Sequence, residues 1–176
     1  MRKTLYLMCG PTGSGKSTYI SKKILSDTNH FYHHSSRDTI RFGLVKENEE
    51  YFSKEDEVFD LFCEDINETL HSDLYDCVFA DATHLTVKSR KKTLDKLNLK
   101  NIDIVPVFME VPYVETLRRN SKRTGRKFVP EKVITNMFQS YTIPTFGENK
   151  YDYAYMIMVS EDGHEFIINK GGIVYT

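Results

Sequence analysis

The chain has 176 residues, 40% hydrophobic and 28% charged, with 24 Lys and Arg against 25 Asp and Glu. That length suits one domain with a sizeable core, and the near-even charge excludes a globally basic nucleic-acid coat, so any polyanion site must be a local concentration of cations. Nine Gly, five Pro and three scattered cysteines exclude fibrous, low-complexity and disulfide-scaffold classes and fit reduced thiols in a cytoplasmic protein.

The first element is "TLYLMCG" (4–10), a short apolar run ending in Gly, which predicts a buried strand. A helix follows over 16–26, a second strand at "HFYHHS" (30–35) and a helix over 37–45. "SKEDEVFDLFCEDINETLHSDL" then opens on Ser53 with Asp56 three residues later, a capping-box pattern. Val58, Phe59, Phe62, Ile66 and Leu70 recur behind it at helical spacing. "DCVFADA" (76–82) predicts a strand ending in an acid, and 86–97 a helix with Val87, Leu94 and Leu97 inward. "NIDIVPVFMEV" (101–111) predicts a strand whose Pro106 points to an edge or a bulge. Pro112 opens a helix running to about 123, and Pro130 another. The tail (about 153–169) reads as two strands joined at Asp162-Gly163. Strands alternating with helices predict an α/β fold with a mainly parallel sheet in one domain over 1–176. No apolar stretch approaches membrane-spanning length, so no membrane is expected.

"GPTGSGKST" matches G-x-x-x-x-G-K-[ST], with a strand before it and a helix after it. Gly10, Pro11, Thr12, Gly13, Ser14 and Gly15 form a loop whose backbone N–H groups are suited to cradle phosphates. Lys16 would reach the β- and γ-phosphates, Ser17 would place its hydroxyl on Mg²⁺, and Thr18 would meet the α-phosphate. The motif points to a nucleoside triphosphate with Mg²⁺, which for a kinase means ATP and Mg²⁺ as cofactors, but hydrolases, switches, motors and kinases share it. Asn149, Lys150 and Asp152 resemble a guanine-reading N-K-x-D. Their place beside an aromatic strand pair argues against that use.

Asp38 follows the second predicted strand. Strand ends of a parallel sheet open onto one crevice, so Asp38 is the candidate base that accepts a proton from an acceptor hydroxyl. Arg41, one turn on, is the candidate grip for an acceptor phosphate. The plainer reading is a surface ion-pair cluster. Asp81 ends the next strand and is expected either to hold Mg²⁺ through water or to orient Arg41. "LRRNSKRTGRKFVP" (117–130) carries six cations in ten residues and predicts a basic lid. Arg119 and Arg123 would fold over the donor phosphates, and Gly125 would end the helix as a hinge.

Taken together, "GPTGSGKST", "SRDTIR", "DATHLT", "VPYVETLRRNSKR" and "VPEKVITNMFQS" resemble the kinase module of phage-type polynucleotide kinases, in order and spacing, over about residues 4–141. The resemblance implies a P-loop kinase with a helical lid that phosphorylates 5′-hydroxyl ends of DNA or RNA. By position it implies Asp38 as general base, Arg41 on the acceptor phosphate and Lys16 and Ser17 as the phosphate-loop pair. It also implies Asp81 as acceptor-site support, and Arg119 and Arg123 as lid arginines. No D-x-D-G-T phosphatase motif is present, so only the kinase half is implied. A separate phosphatase or ligase partner and a homo-oligomer stay open. The place directly after the base holds Thr39 where the family often has a second acid, and the lid reads "KRTGRK". A kinase for a small alcohol (nucleoside, sugar or antibiotic) and a nucleotide-binding module without transfer are the competing readings.

Overall fold

The computed structural model describes residues 2–174. Its strands are β1 (Lys3–Cys9), β2 (Tyr32–Ser36), β3 (Cys77–Asp81), β4 (Ile102–Glu110), β5 (Met156–Ser160), β6 (Glu165–Asn169) and β7 (Gly172–Val174). They form one sheet in the order β2-β3-β1-β4-β5-β6-β7. The first five are parallel; β6 and β7 return antiparallel. The helices are α1 (Lys16–Ser26), α2 (Arg37–Leu44), α3 (Glu55–Leu70), α4 (Val87–Asp95), α5 (Tyr113–Ser121) and α6 (Glu131–Ser140), with a 3₁₀ turn over Gly125–Lys127. This is the expected α/β architecture.

Strand alternation divides the core in two. Leu5, Leu7 and Cys9 join Val78, Ala80 and Ile104 on one face, under the Phe59–Phe62–Ile66–Leu70 stripe of α3 and Leu94 of α4. Tyr6 and Met8 join Phe79, Val105 and Val107 on the other, against Tyr19 and Ile20 of α1. Each large side chain so buried contributes about 1.5–3 kcal/mol of transfer free energy. The three thiols lie inside these layers. Burial pushes Cys9 up to about 12 and Cys63 and Cys77 to about 11.

One local expectation is corrected, and the alternatives for Pro106 are decided. Ser53 does not cap α3: Lys54 holds the cap position with no side-chain bond, and Glu55, Asp56 and Glu57 face the helix dipole instead. A capping box does form one helix later, between Thr86 and Ser89 at the start of α4. Pro106 lies in a strand flanked on both sides, not at an edge. Ile104 accepts from Ala154 N–H on the β5 side, so residue 106, two on, faces that side as well. There the register slips by one residue, from Ile104↔Tyr153 to Val107↔Ile157, and the missing N–H of Pro106 falls at the slip.

One buried ion pair anchors the chain behind the sheet. Arg90 Nε and Nη2 donate to Glu148 at 2.7 and 2.8 Å, and both side chains are almost fully enclosed. Arg90 also donates to the carbonyls of His84 and Thr142. This arginine therefore joins α4 to the 142–148 segment.

Candidate functional site

The sheet order brings four strand ends together. β1 ends in the phosphate loop, β2 in Ser36 before Arg37 and Asp38, β3 in Asp81, and β4 in Glu110 before the lid helix α5. Ser36 and Asp81 are register partners, so the acid after β2 and the acid ending β3 are neighbours by construction.

The loop is held in a shape only glycine tolerates at key points. Gly10 has φ of 154°, and a Cβ there would lie 2.8 Å from Ser14 Oγ and 3.0 Å from Met109. Gly15, φ 98°, caps α1. Lys16 Nζ donates to the carbonyls of Gly10 and Pro11 at 2.9 and 3.0 Å. Burial pulls its pKa below the usual lysine value, Asp81 and Asp38 oppose that, and Arg123 adds to it. Asp38 and Arg123 are thus both in electrostatic reach of Lys16. Ser14 Oγ is buried with no hydrogen-bond partner among the described residues.

Beside the loop, Ser17 Oγ donates to Asp81 Oδ2 at 3.4 Å, and His34 Nε2 lies 2.8 Å from the same oxygen. Asp81 is 8% exposed. A hydroxyl and a carboxylate side by side at a phosphate loop are hard oxygen donors of the kind Mg²⁺ takes. The hydrogen bonds of Asp81 go to Ser17 and His34. None reaches Arg41.

Asp38 sits in the first turn of α2, which Ser36 caps by accepting from Thr39 N–H. Its side chain is 68% exposed. Arg41 Nη1 donates to Asp38 Oδ1 at 2.5 Å, the ion pair of the plainer reading. The fork of Arg41 is engaged elsewhere. Nε and Nη2 donate to Glu55 Oε1 and Oε2, and Arg37 Nη2 shares Oε2 at 3.0 Å. Burial would raise the Glu55 carboxyl, but the two arginines outweigh it and hold it below the usual glutamate value. Arg37 therefore acts on Glu55, not on Asp38.

The lid differs from its expected outline. α5 ends at Ser121, not near 123, and Gly125 (φ 57°) opens the 3₁₀ turn beyond the helix instead of ending it. The segment between is closed by Asn120, whose amide donates to Val129 O at 2.7 Å and accepts from Val129 N–H at 3.0 Å. Arg119 donates to Ser14 O and to Glu161 O, while Glu115 holds its Nε. Arg119 and Arg123 line a cleft of about 590 Å³ with Gly13, Thr18, Tyr19 and the β5–β6 turn. Asn149, Lys150 and Asp152 do not line it. They bond to Tyr153, Asp95 and Lys170.

Two contributors escaped sequence reasoning. Glu55 is 14 residues from Arg41, across a loop whose length hides the pairing. His34 was legible only once β2 and β3 were known to be adjacent.

A family model described as an AAA domain matches residues 5–144. Among curated proteins no sequence match is found. Among solved structures, one described as the Pnkp1/Rnl/Hen1 RNA repair complex aligns with TM-score 0.66 and 22% identity over 78% of this chain; the chain spans only 43% of that neighbour's length. A fungal RNA kinase aligns with TM-score 0.62, 14% identity, 89% of this chain and 73% of that one. A sugar kinase from Janibacter sp. HTCC2649 aligns with TM-score 0.60, 14% identity, 93% of this chain and 88% of that one. At these identities the likeness speaks to the fold, a P-loop kinase-like sheet. The family match covers well over half of the chain, which belongs to the AAA domain family.

Proposed function

We propose that the protein transfers the γ-phosphate of ATP to the 5′-hydroxyl end of a polynucleotide. The observation that carries this is the Asp38–Arg41 pair, set at the end of β2 beside the Ser17–Asp81 pair and the phosphate loop. An exposed carboxylate, held by a buried guanidinium at the mouth of the phosphate loop, suits a hydroxyl acceptor.

In this reading the triphosphate lies in the loop with its base in the cleft lined by Tyr19 and the β5–β6 turn. Asp38 accepts the proton as the acceptor oxygen bonds to the γ-phosphorus and the β–γ bridge breaks, which releases ADP. Lys16, Arg119 and Arg123 offset the charge that develops on the leaving phosphate. Ser17 and Asp81 would hold Mg²⁺, which when bound neutralises phosphate charge. Among the described residues no cluster of three or more His, Cys, Asp or Glu side chains is placed to bind a metal, and a largely hydrated Mg²⁺ needs none.

The RNA repair complex and the RNA kinase among the neighbours support a polynucleotide acceptor, and the former, a complex, supports protein partners such as a separate repair enzyme. The sugar kinase and a gluconokinase from Sinorhizobium meliloti 1021, which cover 88% and 85% of their own lengths, favour a small alcohol as the second reading. No helix among the described residues is long and apolar enough to cross a membrane. The deciding assay supplies ATP labelled at the γ-phosphate with a 5′-hydroxyl oligonucleotide, a nucleoside or gluconate. Label on the oligonucleotide is the expected result. Label on gluconate or the nucleoside alone sinks the polynucleotide reading, and ATP binding without transfer to any of them sinks the kinase reading.

A further inference from the structure

An aromatic cluster stands directly beside the Asp38–Arg41 pair, and the transfer chemistry above leaves it without a task. Tyr51 and Phe52 meet edge to face with ring centres 4.7 Å apart, and Phe42 lies 6.0 Å from Tyr51. The Arg41 guanidinium, bonded to Asp38, lies over Tyr51 at 5.0 Å and over Phe52 at 5.4 Å. Phe52 is 59% exposed. A phenylalanine left largely in water contributes little to the core, while its ring remains available to a flat partner.

The lid supplies the second half. Arg126 crosses from the 3₁₀ turn to this cluster, lies over Phe42 at 4.8 Å and Tyr51 at 5.9 Å, and donates to Val45 O at 2.8 Å. Among the described residues it forms no ion pair with a carboxylate. Arg41 differs, because Asp38 and Glu55 neutralise it. The lid thus sends Arg123 to the donor cleft and an uncompensated guanidinium, Arg126, to the acceptor side.

Phe42, Tyr51, Phe52 and Arg126, we infer, form a subsite for a nucleotide of the acceptor strand lying 3′ to the one that is phosphorylated. Its base stacks on the exposed ring of Phe52 and its phosphate pairs with Arg126. Aromatic rings take any base by its π-face, and an unpaired guanidinium takes a backbone phosphate, so the subsite reads strand and not sequence. The contiguity with Asp38 through one guanidinium says which molecule fills it: the acceptor itself, extended past its first residue. A sugar or a lone nucleoside has nothing to place there. The inference rests on the polynucleotide-kinase reading, whose substrate it would specify as a strand of two or more residues.

The chain has no tryptophan, so Phe52→Trp installs a single fluorophore on the platform. A 5′-hydroxyl thymidylate hexamer should quench its emission, and the same backbone bearing abasic sites should not. In transfer assays Phe52→Ala and Arg126→Ala should each raise KM for the hexamer about fivefold or more. The KM ratio of thymidine 3′-phosphate to hexamer should fall towards one. Base-dependent quenching without transfer to any 5′-hydroxyl would remove the kinase reading and leave the subsite standing. Transfer with equal quenching by the abasic strand, or with the KM ratio unmoved in both variants, would overturn the subsite and leave the kinase reading. Neither quenching nor transfer would overturn both.

Discussion

Arg41 and Glu55 are joined by two hydrogen bonds, Nε to Oε1 at 2.5 Å and Nη2 to Oε2 at 3.0 Å, across a loop that separates α2 from α3. The fork leaves Nη1 to hold Asp38. Glu55 is therefore a positioning residue for the candidate base. Removing its charge leaves a guanidinium that is 7% exposed with Asp38 as its one carboxylate partner among the described residues. Glu55→Gln should cost about 1–3 kcal/mol in urea unfolding and raise KM for a 5′-hydroxyl oligonucleotide more than it lowers kcat. An unchanged KM would mean that Asp38 is positioned without the fork.

The same pair sets a pH dependence. The Glu55 carboxyl is held below its ordinary value in the folded protein, so the unfolded chain binds its proton first as acid is added. Its stabilisation is complete above about pH 4.5, the usual glutamate range, and is lost as pH falls below it. The gap in unfolding free energy between the native protein and Glu55→Gln should be constant from pH 7 to 5.5 and narrow on further acidification. A gap that widens in acid would reverse the sign of this linkage.

Asp38→Asn keeps the shape of the side chain and removes its basicity. Transfer should fall by about a hundredfold to ten-thousandfold. ATP affinity, measured by calorimetry, should change little, because the loop contacts of Lys16 run through Gly10 and Pro11. Retained turnover would remove Asp38 as the base.

Asp81→Ala deletes the acceptor shared by Ser17 and His34. The Mg²⁺ concentration giving half-maximal transfer should rise at least about tenfold. His34→Ala should give a smaller shift in the same direction. If Asp81→Ala leaves the Mg²⁺ curve in place, the carboxylate serves the acceptor alone.

Arg90 bonds Glu148, His84 O and Thr142, none of which is a candidate catalytic group. Glu148→Gln leaves a fully enclosed guanidinium without its counter-charge. The expected loss is about 3–5 kcal/mol, or roughly 10 °C in Tm for a chain of this size. Activity per folded molecule should persist well below the transition.

Most of the sheet was legible because short apolar runs between helical stripes are what a parallel sheet buried on both faces requires. The phosphate loop was legible because its conformation demands glycine at fixed places. β7 escaped, since its three residues are all exposed and carry no alternation. Pro106 left an edge or a bulge open, and only the register slip beside it decides for the bulge. The site was legible wherever one side chain does one job: Lys16 on the loop, Asp38 at a strand end. It was opaque where function depends on a partner across a loop, as with Glu55 for Arg41 and Arg126 for Phe42. Spacing along the chain carries no record of those meetings.

The three thiols have a practical consequence. Cys9 lies beneath the phosphate loop, Cys63 on α3 and Cys77 at the start of β3, each enclosed and each held protonated at neutral pH. A thiolate is the reactive form, so an alkylating reagent can capture these sulfurs only when the layer around one of them parts. The chain thus carries three internal clocks at known depths. Their separate labelling rates, with and without nucleotide, would time how often each part of the fold opens.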